Sequence, residues 1–210
     1  MKIRLIIVLI VATVFLSIVT AGVSRAGSVG QANSTDWVSI DQYSPIGQTF
    51  TAVDDSTIST ISFFFDVTDY LASPDTLTVS VYDGTGFNGS LLGSQVYSLP
   101  VSNPFNFFPI DFSSSNITIS QGSVYTLGIS TTTTRWALGK NQILDSNGQP
   151  YGSPDYVGGM AIINGSGDNN NDLAFQVTTT VVPEPVSAVL FIIGASVLSG
   201  RRFMRKKRNA

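Results

Sequence analysis

Between residues 77 and 82 the chain reads Leu77-Thr78-Val79-Ser80-Val81-Tyr82, with apolar side chains at every second position. A period of two puts Leu77, Val79 and Val81 on one face of an extended strand and the hydroxyl-bearing residues on the other. A helix would scatter the same residues around its axis, so the pattern commits this stretch to a half-buried sheet. Segments of similar character recur at 47–52, 58–67, 90–99, 105–112, 117–119, 123–130, 135–139, 157–164 and 172–180, the last with Leu173, Phe175 and Val177 on one face. Turn chemistry separates them, as in Asp83-Gly84-Thr85-Gly86-Phe87-Asn88-Gly89. Eight to ten strands with no helix between them predict an all-β fold: a single antiparallel β-sandwich, jelly-roll-like, over residues 27–181. A segment of that length is large enough to bury a core of its own.

The two ends of the chain are of another kind. Lys2 and Arg4 precede an apolar run at 5–19, and two small-residue sites follow, Val19-Thr20-Ala21 and Ser24-Arg25-Ala26. This is the order of a secretory signal peptide, predicted here as 1–26 with cleavage after Ala26. An uncleaved anchor helix is the alternative, and either one exports the body. At the other end Val182-Pro183-Glu184-Pro185 leads into an uncharged stretch, 186–200, and then a basic cluster of Arg201, Arg202, Arg205, Lys206, Lys207 and Arg208. The prolines break regular structure, so a helix starts cleanly after Pro185. Fifteen helical residues reach about 22 Å against roughly 30 Å of hydrocarbon. The deficit closes if Phe203 and Met204 enter the bilayer while Arg201 and Arg202 extend to the headgroups. The cluster then faces the cytoplasm, held by the positive-inside bias.

Pro183-Glu184-Pro185, a short apolar helix and an Arg-rich end, in that order, resemble the PEP-CTERM sorting signal of Gram-negative envelope proteins. The resemblance covers 182–210. It implies that a membrane protease, exosortase, reads Pro183, Glu184 and Pro185, that 186–200 is a transmembrane helix, and that the basic cluster is the stop-transfer signal. It also implies an anchored precursor in the inner membrane and a destination at the cell surface or extracellular matrix, in bacteria that make exopolysaccharide. The strand order of the body, from Gly47-Gln48-Thr49-Phe50-Thr51 through Gly89-Ser90-Leu91-Leu92 to Trp136, is similar to bacterial choice-of-anchor domains, which are exported and carry no assigned activity.

The body is far more acidic than the chain as a whole. Only Arg135 and Lys140 are basic within 27–182, against thirteen aspartates, a net of −11 where the full chain shows −3. Such a surface repels nucleic acid and offers no basic patch for it. The chain has no cysteine and no histidine, and its one glutamate is Glu184. That removes disulfides, thiolate chemistry, the usual general base and every Ser-His or Cys-His arrangement. A pair of aspartates working as in a glycosidase is the one familiar catalytic option left, and no pair stands out in the sequence.

Two groups of residues invite a ligand. Asp168, Asn170 and Asp172 crowd oxygen donors into one loop, as a calcium site requires, but without EF-hand spacing or a bidentate glutamate. An Asx turn explains the same residues. Trp37, Tyr43, Trp136, Tyr151 and Tyr156 would suit a flat platform for sugar rings, and they suit a sandwich core equally well. The expectation is a non-catalytic structural or adhesive surface protein without a cofactor. The alternative is a module that binds exopolysaccharide, with calcium as its only candidate ion.

Overall fold

The structure, a computed structural model, describes residues 26–67, 75–99, 106–131, 136–142, 145–148 and 156–181. They form fourteen strands: β1 (Ala26–Gln31), β2 (Asp36–Ser39), β3 (Ile46–Thr51), β4 (Ser56–Val67), β5 (Asp75–Asp83), β6 (Leu91–Leu99), β7 (Asn106–Asp111), β8 (Thr118–Ile119), β9 (Val124–Thr131), β10 (Trp136–Gln142), β11 (Ala161–Ile163), β12 (Ser166–Asp168), β13 (Asn171–Leu173) and β14 (Phe175–Val181). The sequence pattern underestimated this number. The described residues contain no α-helix, only a 3₁₀ turn at Ser113–Ser115. Both sheets are antiparallel. The first has six strands in the order β12-β11-β3-β9-β5-β6; the second has eight, with β1-β14-β4-β10-β13 as its path, β2 on β10, and β7 and β8 on β4.

The strand predicted at 77–82 is the centre of β5. Leu77, Val79 and Val81 are buried and the residues between them are not, so the period of two was read in the correct phase. They meet Leu127 and Ile129 of β9 and, from the eight-stranded sheet, Ile61, Phe63 and Phe65 of β4 and Phe175 and Val177 of β14 in one hydrophobic core. The chain passes from one sheet to the other at most of its connections, so the six-stranded sheet is complete only at β12 and the eight-stranded sheet only at β14.

Two irregularities shape the eight-stranded sheet. In β4, Ile58 and Ile61 both face inward although three residues apart, because Ser59 is the extra residue of a bulge opposite Thr178 and Thr179. The Ser59 hydroxyl donates to the Thr178 carbonyl at 2.9 Å, and its own carbonyl accepts from Phe112 N. The predicted strand 172–180 is cut in two at Ala174. Its N–H donates to Gly139 of β10 at 2.7 Å and its carbonyl accepts from Phe64 N of β4 at 3.0 Å. The chain leaves β10 and joins β4 at this residue.

A polar bridge ties the two sheets together inside the core. Gln48 of β3 is fully buried; its amide nitrogen donates to Asp172 Oδ1 at 2.8 Å and to the Thr49 carbonyl at 3.1 Å, and its carbonyl oxygen accepts from Leu173 N at 2.7 Å. Outside, the glycine-rich loop after β5 folds back over the six-stranded sheet. Phe87 lies against Gly47 and Gly128, where a Cβ atom would come within 3.0–3.1 Å of its ring, and packs edge-on against Tyr82.

Candidate functional site

The outer face of the eight-stranded sheet carries a row of three rings. Trp37 on β2 stacks on Phe64 of β4, with centroids 5.5 Å apart and planes 26° from parallel, and Phe64 meets Phe107 of β7 at 5.3 Å and 61°. All three are half-buried. The row is possible because β10, between β2 and β4, presents Gly139 opposite Trp37. A Cβ there would sit 2.9 Å from Phe64 Cδ1 and 2.5 Å from Ser34 Oγ. Register does the rest: Phe64 pairs with Phe107 across β4 and β7. Because Trp37 stacks on Phe64 while Phe107 meets Phe64 edge-on, the rings form an apolar ridge rather than a flat platform.

β2 is fastened beside this ridge by an ion pair. Asp36 sits opposite Lys140 in the β2–β10 register, with Lys140 Nζ 3.0 Å from Asp36 Oδ2 and 3.0 Å from Gln142 Oε1. Partial burial pushes the Asp36 carboxyl up, but the Lys140 hydrogen bond, the Trp37 backbone N–H and the lysine charge together outweigh it and hold Asp36 below the ordinary carboxylate range.

The other proposed platform residues lie elsewhere. Trp136 is a core side chain, 3% exposed and edge-on to Phe65, so its place in a platform is corrected. Tyr156 packs its ring edge-on against Phe175 at 5.2 Å and its hydroxyl accepts from Thr51 N at 3.3 Å. Burial raises the Tyr156 pKa and the Asp172 charge adds to the rise, opposed by the Thr51 hydrogen bond. Tyr43 is exposed and stands apart from the ridge in the turn before β3. Tyr151 lies outside the described residues.

The calcium-type loop is divided between a turn and the interior. Asp168 Oδ1 accepts from Asn170 N at 2.9 Å and Oδ2 from Asn171 Nδ2 at 2.7 Å, which is the hydrogen bonding of an Asx turn. Asp172 is fully buried and directed at Gln48. Asp168 and Asp172 therefore turn to different partners, and no group of three or more His, Cys, Asp or Glu side chains placed to hold a metal occurs among the described residues. Ala26 opens β1. Pro183, Glu184, Pro185 and the basic cluster from Arg201 to Arg208 lie outside the described residues, as does the proposed transmembrane helix. No helix among the described residues is long and apolar enough to cross a membrane.

Sequence reasoning found Trp37 but missed its neighbours. Phe64 stands in the run Phe63-Phe64-Phe65, which hides its outward direction, and Phe107 in the pair Phe107-Phe108.

Neither a protein-family model nor a curated protein matches the chain. Among solved structures it is similar to chains in the "Structure of infectious bursal disease virus Gx strain" (14% identity, 77% of this chain and 34% of that chain, TM-score 0.30). It is similar also to the "Crystal structure of infectious bursal disease virus VP2 subviral particle" (12% identity, 80% and 35%, TM-score 0.29). The chain spans about a third of the length of these viral chains.

Proposed function

We propose that this is an exported protein, sorted by an exosortase to the cell surface or extracellular matrix, whose β-sandwich is non-catalytic and works by contact. The observation that carries the reading is the compact unit that Ala26–Val181 form by themselves. β1, from Ala26, and β14, to Val181, both belong to this unit, and Pro183-Glu184-Pro185 follows it in the sequence. In this reading the sandwich is a jelly roll, 1–26 is removed as the signal peptide, and 186–200 spans the inner membrane. The cluster from Arg201 to Arg208 stops transfer, and exosortase acts on the sorting motif. Replacing Glu184 with Ala should leave export intact and keep the protein in the membrane fraction; normal release would refute the sorting reading.

A second reading is favoured by the ridge of Trp37, Phe64 and Phe107: contact with exopolysaccharide through stacked aromatic edges. The test is a pull-down on the producing organism's own exopolysaccharide, with and without Ca²⁺. Saturable binding that falls at least tenfold in Trp37→Ala and Phe64→Ala would establish it. Absence of binding would leave the structural role alone.

A further inference from the structure

We propose that Asp54, with Ser56 and Thr179, is a receiving site for the α-ammonium group that processing after Ala26 creates on Gly27. The proposal rests on the export reading above, and the geometry that supports it does not. Asp54 lies in the turn between β3 and β4, and its Oδ1 is buried with no hydrogen-bond partner. Ser56 and Thr179 are 0% and 3% exposed, and the hydroxyl oxygens of both are buried and equally without a partner. Register sets Thr179 beside Gly27 and places Ser56 two residues along β4 from the partner of Thr179. Thr179 pairs with Gly27 across β1 and β14 and with Ile58 across β14 and β4, and Ser56 shares the inward face of β4 with Ile58.

Buried oxygens without a partner are costly, because each has lost water and gained nothing, and Thr179 and the Asp54 carboxylate flank Gly27. What they lack is a donor. A Cβ on Gly27 would fall 2.8 Å from Thr179 Oγ1 and 3.1 Å from Asp54 Oδ2. The Gly27 nitrogen is about 2.5 Å from that point by standard backbone geometry, hence within about 5.6 Å of the carboxylate. In the uncut chain this nitrogen is a neutral amide with one proton. Hydrolysis by a signal peptidase adds water across the Ala26–Gly27 bond: the carboxyl group leaves on Ala26, and Gly27 keeps an amine that takes up a proton at neutral pH. The resulting group has three donors and a positive charge, matching one carboxylate and two hydroxyl acceptors. Glycine leaves room for it, where a side chain would meet Thr179. A calcium ion fits less well, because it takes six to eight oxygens and the corner offers one carboxylate. The ion pair formed among the described residues, Lys140 with Asp36, lies on β2 and β10 and does not serve this corner.

The test compares the full exported chain with the same chain accumulated under a signal-peptidase inhibitor, each with Asp54 or with Asp54→Asn. Mass spectrometry reads the N-terminus and thermal unfolding in detergent reads stability. The expected result is Gly27 at the N-terminus, a Tm lowered by several degrees in processed Asp54→Asn, and little change from that substitution in the uncut chain. As a second measurement on the wild-type processed chain, the α-amine should react with an acylating reagent at least about tenfold more slowly folded than unfolded, equivalent to one unit of pKa. An equal Asp54→Asn effect in both forms, with Gly27 confirmed as the first residue, would overturn the proposal and leave the processing site standing. A different first residue would overturn both. Stabilisation of both forms by added Ca²⁺ that disappears in Asp54→Asn would assign the corner to a metal instead.

Discussion

Replacing Gln48 with Leu should be among the most damaging single substitutions in the core, although it keeps the side chain's approximate size and makes it more apolar. Gln48 is fully buried and is the donor to Asp172 Oδ1 and the acceptor for Leu173 N. Losing a hydrogen bond to a carboxylate costs about 1.5–3 kcal/mol, and leaving the Leu173 N–H buried and unmet costs about 1–3 kcal/mol more. Burial of the leucine side chain returns up to roughly 1.5 kcal/mol. The net loss is about 1–5 kcal/mol, which for a domain of this size lowers Tm by roughly 2–20 °C. Urea unfolding of the exported protein measures it. The double variant Gln48→Leu with Asp172→Leu should recover part of the loss, because it removes the buried carboxylate together with its Gln48 donor. A loss below about 1 kcal/mol for Gln48→Leu, or strict additivity in the double variant, would refute the view that this pair clamps the two sheets.

Gly139→Val should push Phe64 and Ser34 aside, cost about 1–3 kcal/mol from overpacking and disturb the Trp37 stack, visible as a shift in tryptophan emission. Unfolding free energy should fall as pH rises above about 10, the ordinary tyrosine value, and continue to fall through the raised folded pKa of Tyr156, because the folded state holds that proton more tightly than the unfolded chain. Tyr156→Phe should flatten this decline, and an unchanged slope would show that Tyr156 does not contribute to it. Asp168→Ala should cost about 1 kcal/mol through its lost turn hydrogen bonds, equally with and without Ca²⁺. A stabilisation by Ca²⁺ that this substitution abolishes would restore the metal reading of the loop.

How far the sequence could be read depended on whether a feature was local. β5 was legible because alternation at Leu77, Val79 and Val81 states both the strand and its inward face. The hairpin β11–β12 was not found, although its signal was present: Asn164-Gly165 takes φ of +54° and +73° between two three-residue strands, as a type I′ turn requires. The break at Ala174 has no local signal, since a residue that exchanges one neighbour strand for another looks the same in sequence as one that does not. Within the ridge, Trp37 was legible as a candidate by chemistry alone. Its stacking partner was not, because Phe63, Phe64 and Phe65 are equally apolar and only the strands on either side decide which one faces out.

β14 has a mechanical meaning in a protein proposed to be held by its C-terminal side. It lies between β1 and β4, antiparallel to both, and is paired along nearly its whole length. A pull on Val181 along the strand axis loads those two ladders in shear, so many hydrogen bonds share the force at once instead of opening one after another. The same strand carries Phe175 and Val177 into the core, so extracting it also exposes the interior. The last of the described strands is thus placed to take up tension from the proposed anchor and spread it through the eight-stranded sheet.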